Sequence, residues 1–270
     1  MRRLNVIIVT QDDPLYVPYF FAEFLRIFRD EQIALRGVVI QAPLGKKTLR
    51  ALAQQMYAFY GPGDFVRVGV RYAYAKVMNT VAVKVFRGRF PGQFSVKHVL
   101  LKKNAPILKL DDVNSDAFVE LLAASDIDLV VSVAASQKIK RKTLQKPRYG
   151  IINVHNAKLP KNRGMLPNFW SLYHYDKEPI SATTVHQMNE TLDDGDIVLQ
   201  EDFTLDPNKS LHQLIIETKK QNAHLVLRAI QLYKDGPPPL RPNDRTKATY
   251  NTFPNREDVK AFRAKGLKLL

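Results

Sequence analysis

The chain has 270 residues, with 41 Lys and Arg against 26 Asp and Glu for a formal net charge of +15, and it contains no Cys. That length can bury a sizeable core unaided, and the lack of Cys excludes disulfides, thiolate metal sites, iron–sulfur ligation and a Cys nucleophile. At 45% hydrophobic residues the composition excludes a mainly disordered or collagen-like chain, and no apolar run approaches the roughly 20 residues of a membrane span.

In chain order, Met1-Arg-Arg is followed by a short apolar run that turns acidic too soon for a secretory leader. The expectation is a cytoplasmic protein whose basic excess favours a polyanionic or phosphorylated partner. Leu4–Thr10 is a continuous β-branched run and predicts a strand buried on both faces. Val17 to Glu31 sets Phe20, Phe24, Ile27 and Phe28 at helical spacing. Leu35–Gln41 reads as a second buried strand, Lys46–Tyr60 as a helix, and residues 113–124 (Val113, Phe118, Leu121, Leu122) as an amphipathic one. Ile127–Val133 is the next strand, Lys138–Leu144 a short basic helix, and Gly150–His155 one more short apolar strand. Strands alternating with helices predict a Rossmann-like, doubly wound and mostly parallel α/β sheet with helices on both faces. Ligands of such sheets bind beyond the carboxyl ends of the strands.

After residue 155 the pattern changes. Asn156–Pro167 is a polar loop, Asn168–Tyr175 a short helix, and Ser181–Met188 and Asp196–Phe203 are strands able to pair. Ser210–Asp235 predicts a long amphipathic helix, capped by Ser210, with Leu214, Thr218, Leu225 and Leu232 on its core face and Gly236 at its end. The stretch 236–242, GPPPLRP, reads as a linker, and Thr249–Leu270 includes a short helix capped near Asn255 that packs on the core. The expected division is a catalytic domain over 1–205 and a C-terminal helix, linker and extension over 206–270. Residues 65–110 hold ten Lys and Arg and no Asp or Glu. That segment reads either as a surface for anionic lipid, nucleic acid or a phosphorylated substrate, or as a solvated basic helix.

Common catalytic motifs are missing. Thr10-Gln-Asp-Asp-Pro-Leu-Tyr stands where a dinucleotide-binding glycine motif would follow the first strand, and there is no P-loop, HExxH or GxSxG. None of the six His pairs at metal-ligand spacing, so no metal site is expected. Attention falls on Ile151-Ile-Asn-Val-His-Asn. Strand periodicity sets Asn153 and His155 on one face at the carboxyl end, where an amide and an imidazole can both donate to one developing oxyanion. A loop with Lys158-Leu-Pro-Lys-Asn-Arg-Gly follows, and further on His186-Gln-Met-Asn-Glu-Thr-Leu-Asp-Asp-Gly-Asp runs from a strand into an acidic turn. There Asp193 and Asp194 are turn formers before Gly195, or one supplies a carboxylate to His155.

Taken together, N-V-H at 153–155, L-P-x-x-R-G at 159–164 and H-x6-D-x-G-D-I from His186 resemble the formyltransferases that use 10-formyltetrahydrofolate. The resemblance is clearest over about residues 127–203. It implies Asn153, His155 and Asp193 as catalytic residues, Asp193 being the acid seven positions after His186 and followed by x-G. It further implies that backbone near Ala134, Ala135, Ser136 and Gln137, with the loop Glu190, Thr191, Leu192 and Asp193, holds the pterin, and that Leu159, Pro160 and Gly164 shape the site. The acceptor is then a small-molecule primary amine, and no metal is required. Two features depart from the family: Asn156-Ala157 follows the His, and the Gly-rich loop that grips the phosphate of glycinamide ribonucleotide is missing. After Asp235 only about 35 residues remain, fewer than the C-terminal barrel of the methionyl-tRNA enzymes. A nucleotide-linked amino sugar is accordingly the first-ranked acceptor and initiator tRNA the second. A nucleic-acid or membrane-surface binding protein with an inactive site, and a hydrolase releasing formate from the folate, are the alternatives.

Overall fold

The β-branched opening run forms β1 (Leu4–Gln11), whose residues up to Thr10 are all buried because parallel neighbours flank it and helices cover both faces. The computed structural model describes residues 2–41, 48–110 and 112–270. Lys46 and Lys47, the predicted start of the second helix, lie outside the described residues. Asp13 accepts backbone hydrogen bonds from Leu15 (2.8 Å), Tyr16 (3.2 Å) and Val17 (3.3 Å), leading into α1 (Val17–Ile27), which buries Phe20, Phe21 and Phe24. β2 (Ile33–Gln41) pairs parallel to β1.

α2 (Leu49–Thr80) comprises two helical stretches, the first ending at Tyr60, where the predicted helix ends, and the second running on from Pro62. It bends at Gly61, which has φ 70° and ψ 172°, just before Pro62, and a π-helical turn over Val81–Val85 continues it. The segment 65–110 then supplies α3 (Val96–Lys102) and the two-residue β3 (Ile107–Leu108), both without a sequence forecast. α4 (Asp116–Ala124) starts on the Ser115 cap, β4 (Leu129–Val133) follows, α5 (Arg141–Leu144) is one turn, and β5 (Ile151–His155) ends on the histidine. The polar loop contains β6 (Arg163–Gly164), and α6 (Pro167–Tyr173) comes next. β7 (Ile180–Gln187) and β8 (Ile197–Thr204) pair with each other, as expected, and the pairing is antiparallel. α7 (Leu211–Leu232) opens with a full capping box between Ser210 and Gln213. Leu214, Thr218 and Leu225 face the core as predicted, but Leu232 is 44% exposed because the core face of the last turn is carried by Ala229, Ile230 and Tyr233 and Leu232 lies off it. β9 (Tyr250–Asn251) and α8 (Arg256–Ala264), capped by Asn255, close the described chain.

The main sheet has the order β3-β2-β1-β4-β5-β7-β8, parallel through β5 and antiparallel at β7 and β8. Its direction of winding reverses between β1 and β4, so a crevice forms at their carboxyl ends. The cores on its two faces are built from α1, α3 and α7 on one side and α4 with Ile139 on the other. A further aromatic cluster joins Phe59 and Tyr60 of α2, Phe169 and Trp170 of α6, and Val259 and Phe262 of α8. Among the described residues no helix is long and apolar enough to cross a membrane.

Candidate active site

A cleft of about 470 Å³ opens beyond β4 and β5. Ala134, Ala135, Ser136 and Gln137 form one wall just after β4, and Glu190, Thr191, Leu192 and Asp193 form the opposite wall between β7 and β8. Gln41, at the end of β2, fixes the first wall by accepting from Ser136 N at 2.9 Å and donating to Gln137 Oε1 at 2.9 Å. Asn153, His155 and Gly164 line the same cleft. Leu159 and Pro160 are not among its lining residues. Leu159 is 3% exposed, its side chain packed into the core and its carbonyl accepting from Gln200 Nε2 at 3.1 Å, and both residues face a separate surface hollow.

The Asp193 carboxylate lies between two imidazoles. Its Oδ1 is 3.5 Å from Nδ1 of His155 and 3.6 Å from Nε2 of His186. His155, 6% exposed, donates from Nε2 to the Asn162 carbonyl at 2.9 Å, which leaves Nδ1 for the acid. His186 donates from Nδ1 to the Gln187 carbonyl at 2.8 Å, so Nε2 is left to accept from Asn153 Nδ2 at 3.2 Å. The Asn153 amide thereby keeps a second N–H for a ligand. Burial pushes the Asp193 carboxyl up, but His155, protonated in the acid range where this carboxyl would titrate, the His186 ring and the Gly164 N–H at 2.9 Å outweigh it and hold the group well below the usual carboxylate range. Burial pushes the His155 imidazole down, against the pull of Asp193 and of the Asn162 carbonyl. The site at rest is an ionised carboxylate beside a neutral buried imidazole.

Neighbouring Asp194 has a different task. Its side chain is 2% exposed and pairs with Arg163 at 3.0 Å and with Arg245. Asp193 itself holds φ 51°, a left-handed backbone that Asp tolerates better than most residues. Two neighbours fix that loop: Arg163 Nε donates to the Leu192 carbonyl at 3.1 Å, and Asn243 Nδ2 donates to the carbonyls of Asp193 (3.1 Å) and Gly195 (3.2 Å). A Cβ at residue 195 would overlap the Gln187 carbonyl oxygen, so the turn closes only with glycine there. Gly164, at φ 98°, likewise admits the Asn251 carbonyl where a side chain would stand.

The segment read as a linker is therefore part of the site's frame. Arg241 and Ile197 exchange backbone hydrogen bonds of 2.8 and 2.9 Å, and β9 pairs parallel with β6. Tyr250 and Lys219 both line the cleft, the latter from α7, with burial pushing its ammonium down against the pull of Asp13. The residue reading missed His186 as a site group, together with Lys219, Asn243, Arg245 and Tyr250. His186 opens the motif that located Asp193, but nothing local in the sequence marks the other four. Asn156, where the family pattern has another residue, accepts from the buried Asn222 of α7 at 2.7 Å and so ties the end of β5 to that helix. Among the described residues no group of three or more His, Cys, Asp or Glu is placed to hold a metal.

A family model described as "Formyl transferase" matches residues 79–230, more than half of the chain. A methionyl-tRNA formyltransferase of Syntrophus aciditrophicus (strain SB) is 32% identical over 163 residues, which is 60% of this chain and 52% of that protein. The methionyl-tRNA formyltransferase of Thermotoga neapolitana is 29% identical over 217 residues, 77% of this chain and 68% of its own. The chain thus spans about half to two thirds of the length of these curated relatives. Among solved structures, a sugar 3N-formyl transferase in the presence of dTDP and 5-N-formyl-THF superposes with a TM-score of 0.59 at 16% identity, covering 100% of this chain and 84% of that one. Glycinamide ribonucleotide transformylase 1 from Symbiobacterium toebii gives 0.58 at 14% identity, covering 90% and 95%. At such identities these likenesses show a common fold.

Proposed function

The chain belongs to the formyl transferase family, and from that premise we propose that it moves the formyl group of 10-formyltetrahydrofolate to the primary amine of a nucleotide-linked amino sugar. The observation that carries this reading is the Asp193 carboxylate beside both His155 and His186, with Asn153 next to them, in a cleft at the carboxyl end of β5. The cleft suits a folate: Ala134, Ala135, Ile139, Met188 and Leu192 offer apolar contact for a flat ring, and exposed backbone on both walls can pair with its edge. The net charge of +15 suits the anionic glutamate tail.

10-Formyltetrahydrofolate supplies the electrophilic formyl carbon. Asn153 donates its second N–H to the formyl oxygen as that oxygen gains charge, an interaction worth about 3–4 kcal/mol in comparable sites. The His155–Asp193 pair receives the proton that leaves the attacking amine, the carboxylate stabilising the imidazolium so formed, and returns it to the departing nitrogen. Arg163, Asp194 and Asn243 hold the loop so that the carboxylate stays beside both rings. A nucleotide-linked acceptor rests on the missing glycine loop after β1 and on the likeness to the sugar enzyme, which runs the whole chain including β9 and α8. The names of the sequence relatives and the positive charge favour initiator methionyl-tRNA as the second reading.

The test is a panel of nucleotide-linked amino sugars and charged initiator tRNA, each incubated with 10-formyltetrahydrofolate and read by the mass of the acceptor. Formylation of a sugar is expected. Formylation of the tRNA alone would replace the acceptor and keep the chemistry, whereas formate release unaffected by any amine would make the protein a hydrolase.

A further inference from the structure

The distal part of α2 turns an apolar stripe toward solvent. Val66, Val70 and Val77 are 63%, 64% and 62% exposed, and helical spacing puts all three on one face. Tyr74, 59% exposed, borders that stripe and meets the Phe94 ring edge-on at 6.1 Å; Phe94 in turn lies 6.1 Å from Phe90, and Phe90 5.0 Å from Phe86. The stripe therefore continues into the loop that follows the helix. From Pro62 to Thr80 the helix is 19 residues long, roughly 28 Å at 1.5 Å per residue. Exposed apolar surface on this scale marks an interaction site in a water-soluble fold.

The charge around the stripe says what it meets. Residues 65–110 carry ten cations and no acid. Arg67 and Arg71 edge the stripe on one side of the helix and Lys76 on the other, while Lys84, Arg87 and Arg89 sit exposed around its far end. A second copy of this chain would bring the same cations face to face, at a cost in like-charge repulsion. Nucleic acid would engage the cations and leave the valines in water, since phosphate contacts need only positive charge. A surface that is apolar along its centre, basic along its edges and unable to span matches the interface of an anionic bilayer, with valine and aromatic side chains at the acyl boundary and Arg and Lys at the headgroups. We propose that α2 and the loop after it dock this protein on anionic lipid surfaces.

This proposal is independent of the acceptor's identity. It does bear on the site, because the opposite edge of the same helix roofs the carboxyl end of β1, where Lys76 Nζ is 3.9 Å from Asp12 Oδ2. A docked molecule would hold that end of the crevice close to the headgroups.

The test is co-sedimentation of the full chain with vesicles of phosphatidylcholine alone and with about one third phosphatidylglycerol, at low and near-physiological salt. Binding is expected only to the anionic vesicles. The double variant Val70→Asp/Val77→Asp should bind at least about tenfold more weakly, because two buried apolar contacts become charges. Lys84→Glu/Arg89→Glu should weaken binding and flatten its salt dependence. All four side chains are exposed, so thermal melting and formyl transfer to a soluble acceptor should match the wild type. Absence of vesicle binding at low salt would overturn the proposal. So would vesicle binding indifferent to the Val→Asp changes, tight binding to RNA or DNA with that same indifference, or a wild-type dimer that the Val→Asp variant dissociates.

Discussion

Two adjacent acids, Asp193 and Asp194, separate the chemistry from its support. Asp193→Asn keeps the volume but removes the charge beside His155, so turnover should fall roughly 10²–10⁴-fold in a chain that still folds. Asp194→Asn instead removes the charge that pairs with Arg163, whose side chain is 11% exposed, and should cost about 2–3 kcal/mol of stability in a denaturant melt. If the two variants swapped these phenotypes, the assignment of roles would fail. The pH profile is set at the same scale. Asp193 is held below the ordinary carboxylate range and His155 is pushed below the ordinary imidazole value of about 6.5, so neither changes charge between about pH 6.5 and 9 in the resting site. The acid limb of kcat/KM should therefore follow the acceptor amine: an acceptor whose amine titrates about one unit lower should move that limb down by about one unit. A limb fixed in position across acceptors would belong to the protein instead. The pairing of Asn153 with His155 was legible because a strand's period of two is short-range and unambiguous. The choice between Asp193 and Asp194 was open to residue-level reasoning and came only from motif spacing, since it depends on Arg163 and Arg245 arriving from elsewhere in the chain.

At the scale of elements, the parallel strands and α7 could be read because their patterns are long: a β-branched run for β1, and a serine cap with period-3.6 apolar residues for α7. β3, β6 and β9 have two residues each, too few for any periodicity, and exist because a neighbour accepts their hydrogen bonds. The helix read as ending at Tyr60 does leave helical geometry at Gly61, and a second stretch of α2 starts at Pro62. These unreadable pieces matter to the site. Asn243, in the short connection between the Arg241 bridge and a 3-10 turn at Arg245–Lys247, uses its Nδ2 on two carbonyls of the Asp193 loop. Asn243→Ala should lower kcat at least tenfold while the KM for folate changes little, because the cleft walls remain and the carboxylate loses its frame. Asn243→Asp, which keeps the volume but loses the amide N–H groups, should behave alike; a rise in KM at constant kcat would assign the residue to binding instead. Gly195→Ala should be more severe, displacing the turn against the Gln187 carbonyl at a cost of about 1–3 kcal/mol, visible as a lower melting temperature together with lost turnover.

Over the whole molecule, charge and buried histidines set the response to acid. His98, His155, His174 and His212 are all pushed down by burial. A group whose folded value lies below its unfolded one binds its proton first in the unfolded chain, so the associated stability is complete above about pH 6.5 and is lost as pH falls from there toward the folded values. With a net charge of +15 each added proton also increases self-repulsion. The melting temperature should thus hold steady from about pH 7 to 8 and fall steadily from about 6.5 to 5 in calorimetry at fixed ionic strength; a flat profile down to pH 5 would contradict this account. The clamp on the Asp193 loop adds a matter of timing. The amide that secures Asp193 stands 50 residues further along the chain, and the strand that backs Gly164 is later still. On the ribosome, the histidines, the asparagine and the acid all emerge before the parts that lock them, so a nascent chain can have its sheet assembled while its reactive groups still lack their final alignment. Alignment of the acid therefore waits on residues that follow it in the chain, Asn243 and Tyr250–Asn251 among them.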